Sequence, residues 1–471
     1  MAGRGADTRW FWIGAAALVV LALAALATMI DLRIGGDPRP LGTVEDIATL
    51  SERDDVNLLF VLIDTLRADR LHSYGYARET SPVIDQLART GVRFARHLSQ
   101  SSWTKCSMAS LWTGLYPARS GVTRYDHQLP LEARMPAEIL RDAGFRTTGI
   151  FRNGWVDAYF GFDQGFEVYT RPARTPLPPD VRRENPTLKD TGSDTDAVRA
   201  AEQFLRVYGR ERWFLYLHFM DLHEYLYDED TAVFGTTYSD VYDNAILREN
   251  RVLDQLLGLL AEEGYLENTL IVVASDHGEA FGERGFEGHA REVYRETTEV
   301  PLVFAFPFRL DPRVTVEART RNVDIWPTLL DLLGLPAMEG ADGRSRRPEI
   351  LAAARGEPPP EDGTTGIAHL DQRWGQRGQK AAPTVAVSEG PFRFVLSRKV
   401  DGHTREELFH AGRDPEELAD RVEEDAPVAR RLRKVAHEYL ASEPPWQGGT
   451  PTLELDEMQL NQLRALGYAV P

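Results

Sequence analysis

Residues 56–64 read VNLLFVLID, a nearly continuous apolar run that ends in the carboxylate of Asp64. Such a run is typical of a strand that is buried on both faces, as in a parallel sheet. Similar runs recur at Phe214–Phe219, Thr269–Ser275 and Val300–Phe306. Stretches with the apolar spacing of amphipathic helices lie between these runs, at Ser81–Thr90, Asp196–Tyr208 and Tyr242–Glu262. This alternation predicts an α/β fold in which a central sheet is flanked by helices.

The composition of the chain limits the classes of function it can have. It has 471 residues, with 54 Lys and Arg against 72 Asp and Glu, and a formal net charge of −18. Proteins that wrap nucleic acid neutralise phosphates with basic side chains, so we expect no nucleic-acid partner. The single cysteine, Cys106, excludes an intramolecular disulfide framework and a cysteine-based zinc finger.

The N-terminal residues 10–30 read WFWIGAAALVVLALAALATMI and carry no charge. A helix of this length spans about 31 Å, roughly one hydrocarbon core. Because Arg4 and Arg9 precede this segment, we expect residues 1–9 to be a cytoplasmic tail and residues 10–30 to be a single-pass anchor in the cell membrane, with the catalytic part extracytoplasmic. A cleaved signal peptide is the alternative, since the letters ALA at 25–27 resemble a cleavage site.

The rest of the chain divides by composition. Residues 31–55, which are rich in Gly, Pro and charge, are predicted to be a tether, followed by the catalytic domain at 56–337. Gly, Pro, Arg and Glu are again frequent at 338–383, which predicts a loop-rich connector. We expect a small C-terminal α+β subdomain at 384–441 and a tail with a short helix at 442–471. Their predicted elements are strands at Thr384–Leu396 and Glu406–Phe409 and helices at Pro427–Leu440 and Leu455–Tyr468.

Three segments carry side chains that are suited to chemistry. Asp64 ends the first strand, Thr104 lies in the run SSWTKCSMASLWTG at 101–114, and Asp276 and His277 follow a third strand. Because the carboxyl ends of parallel strands meet at one edge of a sheet, these segments can converge. Carboxylates, an imidazole and a hydroxyl offer a hard cation mostly oxygen ligands, and the nitrogen shifts the preference toward Zn or Mn. For Asp64 alone, a structural role as a helix N-cap stays open.

These segments, together with HFMDLH at 218–223, SDHGEAFGERGFEGH at 275–289 and DIWPTLLDLLG at 324–334, resemble the sulfatase branch of the alkaline phosphatase superfamily. The resemblance covers about residues 56–468. It implies a mixed central sheet of the alkaline-phosphatase/sulfatase type and a metal-dependent sulfuric or phosphoric ester hydrolase. It also implies one divalent metal ion, Zn or Mn being favoured and Ca or Mg the alternatives. The ligands carried over from the family are Asp64, Thr104, Asp276 and His277.

The residue at the nucleophile position departs from the sulfatase pattern. Sulfatases typically carry a Cys or Ser, matured to formylglycine, in the context C-x-P-S-R-A-x-L-x-T-G. This nucleophile precedes the final glycine by ten positions, which from Gly114 gives Thr104 and places Cys106 where the family has proline. The run from Cys106 to Ser110 also lacks the arginine of the maturation signal. We therefore predict that Thr104 is the nucleophile and that Cys106 is a small buried side chain.

The threonine also changes the expected substrate. Threonine does not become formylglycine by the known route, and the relatives with a threonine at this position are phosphotransferases and phosphodiesterases. The resemblance therefore favours phosphate over sulfate ester chemistry.

Further residues are interpreted through the same resemblance. His223 and His289 resemble the family's substrate-contacting histidines, which hydrogen-bond the transferred group or protonate the leaving oxygen. Asp221 is a candidate to join His289 in a second metal site. The lysine of the family's G-K-W-H segment corresponds at best to Arg152. His218 is predicted to be a packed residue of its strand.

Together these predictions describe a membrane-anchored, metal-dependent hydrolase of sulfate esters or of phosphate mono- or diesters. The expected substrate is a small molecule, a lipid headgroup or a glycan. Two alternatives stay open: a phosphotransferase that modifies a lipid or cell-surface glycan headgroup, and a non-catalytic pseudo-enzyme that binds an anionic ligand. The intact set of Asp64, Thr104, Asp276 and His277 argues against the pseudo-enzyme.

Overall fold

The computed structural model describes residues 37–186, 192–360, 363–398 and 402–465. From Leu41 onward, the described residues form one compact unit. The predicted cytoplasmic tail and membrane segment, residues 1–30, lie outside the described residues. Among the residues that are described, no helix has both the length and the apolar composition of a membrane span.

The core of the fold is an eight-stranded sheet. In spatial order its strands, numbered along the chain, are β10 (Val314–Arg321), β2 (Val92–Leu98), β9 (Leu302–Ala305), β6 (Thr269–Ala274), β1 (Asn57–Ile63), β5 (Trp213–Phe219), β3 (Arg146–Phe151) and β4 (Val168–Thr170). The strand β9 runs antiparallel to both of its neighbours, and the other neighbouring pairs are parallel. The predicted mixed central sheet is therefore confirmed.

Both faces of this sheet are covered by helices. Side chains at even positions of β1 enter one hydrophobic core and those at odd positions enter the other. The helix Thr104–Thr113 belongs to the first core, and Pro82–Thr90, Asp194–Tyr208 and Tyr238–Glu262 belong to the second. Since all seven residues of β1 are buried, the strand has to be apolar along its whole length rather than on alternate positions.

The five predicted helices are present, each beginning within four residues of its predicted start, and residues 466–468 at the predicted end of the last one lie outside the described residues. Four helices of the described residues begin with proline, which fits the first helical position because that residue needs no intrahelical N–H bond. The helices have the bounds Val44–Ala48, Pro82–Thr90, Thr104–Thr113, Pro117–Ser120, Pro136–Asp142, Pro179–Glu184, Asp194–Tyr208, Tyr238–Glu262, Arg295–Thr298, Asn322–Leu332, Arg347–Ala354, Ala426–Leu440 and Glu457–Ala465.

A second, antiparallel sheet forms the C-terminal subdomain. Its strands are β11 (Gly366–Asp371), β12 (Pro383–Glu389), β13 (Phe392–Arg398) and β14 (Thr404–His410), paired in that order. The helix Ala426–Leu440 shares a hydrophobic core with this sheet. The predicted run Thr384–Leu396 is two strands that reverse at Gly390, whose φ is 55°. Left-handed backbone of this kind suits glycine in a tight turn.

Two of the predicted segments contain regular secondary structure. The interval 338–383, predicted to be a loop-rich connector, contains the helix Arg347–Ala354 and the strand β11. The end of the predicted tether 31–55 is folded, because the helix Val44–Ala48 buries Ile47 completely in the first core, together with Leu50. These short elements have few apolar residues and are flanked by Gly-, Pro- and charge-rich sequence, so their apolar periodicity is too short to be detected.

A short hairpin precedes β9 along the chain. It consists of β7 (Ala280–Phe281) and β8 (Glu287–Gly288), in which Ala280 pairs with Gly288. The hairpin lies between His277 and His289 and brings the two ends of this segment together.

Candidate active site

The candidate site lies at the carboxyl edge of the central sheet. Pairing aligns Leu62 of β1 with His218 of β5 and with Ala274 of β6, and aligns Phe151 of β3 with His218. The residues that directly follow these strands therefore leave the sheet at the same edge. They include Asp64, Asn153, Asp276 and His277, all of which are fully buried.

Asp64 has one engaged and one unengaged carboxylate oxygen. Its Oδ2 accepts a hydrogen bond from Nδ2 of Asn153 at 2.6 Å and lies 3.0 Å from Nε2 of His218. Its Oδ1 has no hydrogen-bond partner among the described residues and lies 3.7 Å from Nε2 of His277. Asp64 caps no helix among the described residues, so the structural N-cap interpretation is wrong.

Thr104 is the first residue of the helix Thr104–Thr113 and faces the same histidine. Its Oγ1 lies 3.1 Å from Nε2 of His277 and 3.4 Å from Nδ2 of Asn153. The helix ends at Gly114, whose φ of 67° terminates it in the left-handed conformation. All ten residues of the helix are buried, so the position of the hydroxyl is fixed by packing along the whole helix.

Asp276 completes the group. Its backbone carbonyl accepts a hydrogen bond from the Ser107 hydroxyl at 2.6 Å, while its Oδ1 accepts a long bond of 3.4 Å from the Thr65 N–H. Its Oδ2 has no hydrogen-bond partner in the described part of the chain and lies 3.3 Å from Nε2 of His277. Nδ1 of His277 lies 3.0 Å from the Gly278 carbonyl, and this contact directs Nε2 at the two carboxylates.

The arrangement of these donors fits a divalent cation. Asp64, Asp276 and His277 each offer one ligand atom, and these atoms lie within 4.8 Å of one another. Burial and the charge of Asp64 raise the pKa of Asp276 to about 7. Burial also opposes ionisation of Asp64, but the His218 hydrogen bond and the charges of His223 and His277 outweigh it and lower the pKa of Asp64. Two buried carboxylates with unengaged oxygens are costly unless a cation lies between them.

The two predicted substrate-contacting histidines lie beside this group. The ring centroid of His289 is 4.5 Å from that of His277 and 5.0 Å from that of His223. Burial lowers the pKa of His223 and lowers that of His289 to about 4. Nδ1 of His289 lies 3.1 Å from Oε2 of Glu279, and burial raises the pKa of Glu279 to about 7 against the charges of His223 and His277. The structure thus brings together all six predicted site residues.

Sequence reasoning missed three residues of this site. Asn153 contacts both Asp64 and Thr104, and its Oδ1 accepts the Trp155 N–H at 2.8 Å, which directs Nδ2 into the site. His218 is buried as predicted, but one ring nitrogen contacts Asp64 and the other the Tyr216 hydroxyl at 2.8 Å. The available signal was a polar residue in or directly after an apolar strand, the same feature that pointed to Asp64. Glu279 lies only two residues after His277, and this closeness in sequence to a predicted ligand could have identified it.

Arg152 and Asp221 lie in a different cluster. Arg152 forms ion pairs with Asp194 at 2.9 Å, with Glu224 at 2.7 Å and with Asp221, so its guanidinium is not a clamp for the transferred group. The acidic residues that could hold a cation with Asp221 are Asp194 and Glu249, not His289. The predicted pairing of Asp221 with His289 in a second metal site is therefore wrong.

Cys106 is directed away from the site. Its thiol contacts the His369 carbonyl of β11 at 3.7 Å. Burial raises the pKa of the thiol to about 12, so it is an unreactive, buried side chain, as predicted.

Comparisons with known proteins agree with the geometry. The model of the Sulfatase family matches residues 56–335. An ulvan-active sulfatase of Formosa agariphila is 25% identical over 370 residues, covering 70% of this chain and 71% of that protein. A choline-sulfatase of Rhizobium meliloti is 26% identical over 457 residues, covering 78% of this chain and 82% of that protein. In fold, the chain is similar to the phosphonate monoester hydrolase of Agrobacterium radiobacter, with a TM-score of 0.64 at 20% identity, covering 85% of this chain and all of that one.

Proposed function

The chain belongs to the sulfatase family and is an ester hydrolase of that superfamily, and from this membership we propose a finer function, the metal-dependent hydrolysis of phosphate mono- or diesters with Thr104 as the nucleophile. The observation that carries the proposal is the 3.1 Å contact between Thr104 Oγ1 and His277 Nε2. The hydroxyl thus lies beside the unengaged oxygens of Asp64 and Asp276. The one cysteine that could mature to formylglycine is buried against another strand.

The residues of the site have complementary roles in this reaction. Asp64, Asp276, His277 and Thr104 would hold one divalent cation, with Zn or Mn favoured by the mixed oxygen and nitrogen donors. When bound, such an ion lowers the pKa of a hydroxyl and polarises the phosphoryl oxygens. Thr104 then attacks phosphorus in line, and a water molecule later releases the phosphate from the threonine.

Asn153 and the histidines act on the charge of the transferred group. The Nδ2 amide of Asn153 is 3.4 Å from the Thr104 oxygen, so it can donate to a phosphoryl oxygen bound there, which stabilises the charge that develops in the transition state. The ring of His289 lies beside that of His277 and the ring of His223 beside that of His289, and the two histidines protonate the leaving oxygen or hold the transferred group.

The substrate class follows from the nucleophile and from the relatives. Two relatives are named as sulfatases, and one structural neighbour is named as a phosphonate monoester hydrolase. Proteins similar to this chain therefore include both sulfur-ester and phosphorus-ester hydrolases. Threonine favours phosphorus, and the anionic group would belong to a small molecule, a lipid headgroup or a glycan. A phosphotransferase would use the same intermediate, with an acceptor alcohol in place of water.

The test is a panel of esters turned over by the purified full chain. Aryl sulfate, aryl phosphate and aryl phosphodiester are each supplied with Zn, Mn, Ca and Mg, and Thr104→Ala and Cys106→Ser are run in parallel. We expect phosphoester turnover that falls by roughly 10⁴-fold or more in Thr104→Ala and stays within about threefold in Cys106→Ser. Sulfate turnover that is lost in Cys106→Ser would contradict the proposal, because the cysteine would then be the residue that matures.

The place of action is proposed from the N-terminal sequence. Residues 10–30 anchor the protein in the cell membrane with the catalytic domain outside the cytoplasm, as their apolar length and the preceding arginines favour. Membrane fractionation followed by mass determination of the N-terminus checks this. An intact N-terminus in the membrane fraction is expected, and a soluble protein that begins near residue 28 would indicate a cleaved signal peptide instead.

A further inference from the structure

Glu279 is buried beside His289 at the open end of the hairpin β7–β8. Ala280 pairs with Gly288 in this hairpin, so residues 279 and 289 are the next pair across. Oε2 of Glu279 lies 3.1 Å from Nδ1 of His289, and Oε1 has no hydrogen-bond partner within the residues that the structure describes. Glu279 is only 2% exposed. A buried carboxylate has therefore been placed by the hairpin register directly against one nitrogen of a site histidine.

The backbone next to His289 is tied to the nucleophile segment. The Ala290 N–H donates to the carbonyl of Ser102 at 2.7 Å, two residues before Thr104. Ala290 has a φ of 58°, and its carbonyl accepts a bond from the indole N–H of Trp374 at 3.3 Å. These contacts hold the backbone next to His289 in place, while the hydrogen bond to Glu279 acts on the orientation of the imidazole ring.

We propose that Glu279 is the positioning residue of His289, which fixes the orientation and the tautomer of its imidazole. This rests on the proposed function, in which His289 protonates the leaving oxygen. A ring nitrogen that donates a hydrogen bond to a carboxylate carries a proton. Nδ1 therefore keeps its proton, which it donates to Glu279, and Nε2 is the nitrogen that accepts and donates a proton in the reaction.

The proton balance of the reaction then follows. The proton of the Thr104 hydroxyl passes to Nε2 of the neutral His289 and from there to the leaving oxygen, while Oγ1 forms its bond to phosphorus and the bond from phosphorus to the leaving oxygen breaks. His289 is then neutral again, with its remaining proton on Nδ1. Water next attacks phosphorus, the bond from Thr104 Oγ1 to phosphorus breaks, and one proton of the water passes through Nε2 back to Oγ1 of Thr104.

The first test is spectroscopic and needs no substrate. The full chain is labelled with ¹⁵N-histidine and loaded with Zn, and the His289 signals are assigned from their loss in His289→Gln. At pH 8 we expect the Nδ1 shift of a protonated nitrogen and the Nε2 shift of an unprotonated one. In Glu279→Gln this preference for protonated Nδ1 is expected to weaken. A wild-type His289 that carries its proton on Nε2 would overturn the proposal.

The second test uses aryl phosphates whose leaving groups range from good to poor. Protonation matters most for a poor leaving group, and general acid catalysis contributes about 10²–10⁴-fold. We expect kcat of Glu279→Gln to fall roughly 10- to 100-fold for phenol-like leaving groups and less than about threefold for p-nitrophenol, with KM nearly unchanged. Glu279→Asp should recover part of the loss. A uniform loss for all leaving groups would indicate a merely structural role and would overturn the proposal.

The matched control is Glu287→Gln, an exposed carboxylate in β8 of the same hairpin, for which no leaving-group dependence is expected.

The two tests separate this inference from the proposed function. A wild type that hydrolyses none of the esters contradicts the proposed function, and the histidine spectrum then decides the Glu279–His289 contact by itself. A wild type that hydrolyses phosphoesters, with Glu279→Gln behaving like Glu287→Gln, contradicts the positioning role alone. Thermal unfolding verifies that each variant is folded.

Discussion

Two buried clusters of acidic side chains lie near the carboxyl edge of the same sheet, and they differ in what surrounds the carboxylates. The Asp64 cluster consists of Asp64, Asp276 and His277, and the Glu249 cluster consists of Asp194, Asp221 and Glu249. In each cluster the three ligand atoms lie within 4.8 Å of one another. By composition and compactness alone, the two clusters would be equally good candidates for a metal site.

The Glu249 cluster already contains its cations. Arg152 and Arg248 form ion pairs with Asp221, and Arg152 also with Asp194. Burial and the neighbouring Asp194 and Asp221 raise the pKa of Glu249 well above its ordinary value, which disfavours a negative charge on the third acid. Among the described residues, no arginine or lysine pairs with either carboxylate of the Asp64 cluster, and the hydroxyl of Thr104 lies next to it. The Asp64 cluster is therefore the better candidate for a metal site because it lacks positive charge, not because it has more acids.

The largest difference between the two clusters is expected when one carboxylate of each is substituted. Asp276→Asn removes a ligand and should lower bound metal from one equivalent to roughly a tenth, with turnover reduced by about 10³-fold or more. Asp194→Asn should keep one equivalent of metal. Elemental analysis of the purified variants together with phosphoester turnover measures both. Two equivalents in the wild type, with one lost in Asp194→Asn, would show that the clusters are alike.

A smaller effect is expected when the Glu249 cluster loses a cation. Arg152→Met leaves the buried Asp194 and Asp221 with one guanidinium fewer and should lower the free energy of unfolding by about 3 kcal/mol. Chemical denaturation of metal-loaded protein measures this, with Arg206→Met, an exposed i,i+4 pair with Glu202, expected to change it by less than about 0.5 kcal/mol. Equal stabilities of the two variants would mean that Arg152 does not balance the cluster.

The smallest effect concerns the pH dependence of stability. Because the pKa of Glu249 is raised by burial and by Asp194 and Asp221, its contribution to stability is fully present below the ordinary pKa of about 4.5 and is lost as the pH rises through the folded-state pKa. Glu249→Gln should therefore flatten the decline in the free energy of unfolding between pH 5 and pH 9, by about 1 kcal/mol.

Urea unfolding at several pH values measures the decline. Glu262→Gln, an exposed residue of the same helix, is the control and should keep the wild-type slope. An unchanged slope in Glu249→Gln would mean that Glu249 is charged in the folded state and has a cation as its partner, which would make the two clusters alike.

The elements that the sequence predicts best are the interior parallel strands. The strands β1, β5 and β6 are buried on both faces and are apolar except for Asn57 and Thr269 at the starts of β1 and β6 and His218 near the end of β5. The sequence analysis did not identify β2 or β10, which read VRFARHL and VTVEARTR, because exposed and buried positions alternate there and charged residues interrupt the pattern. The position of a strand in the sheet decides which of these two patterns it has. A short stretch of sequence does not contain that position.

The candidate site was predictable to the extent that its residues follow such strands directly. Asp64, Asp276 and His277 do so, and Thr104 was located by its spacing from Gly114. Asn153 was passed over in favour of its neighbour Arg152, although the two side chains enter different clusters. Successive side chains at a strand end point to opposite sides, and the register of β3 against β5 decides which of them reaches Asp64.

The long helix Tyr238–Glu262 makes the chain sensitive to insertions and deletions. The Tyr242 hydroxyl donates to the Thr65 carbonyl at 2.7 Å and accepts the Arg67 N–H at 2.9 Å, which holds the loop directly after Asp64. Seven residues later, close to two full turns, Glu249 enters the other cluster from the same side of the helix. One residue inserted or deleted between them would rotate Glu249 by about 100° relative to Tyr242, so this interval should tolerate no single-residue insertion or deletion.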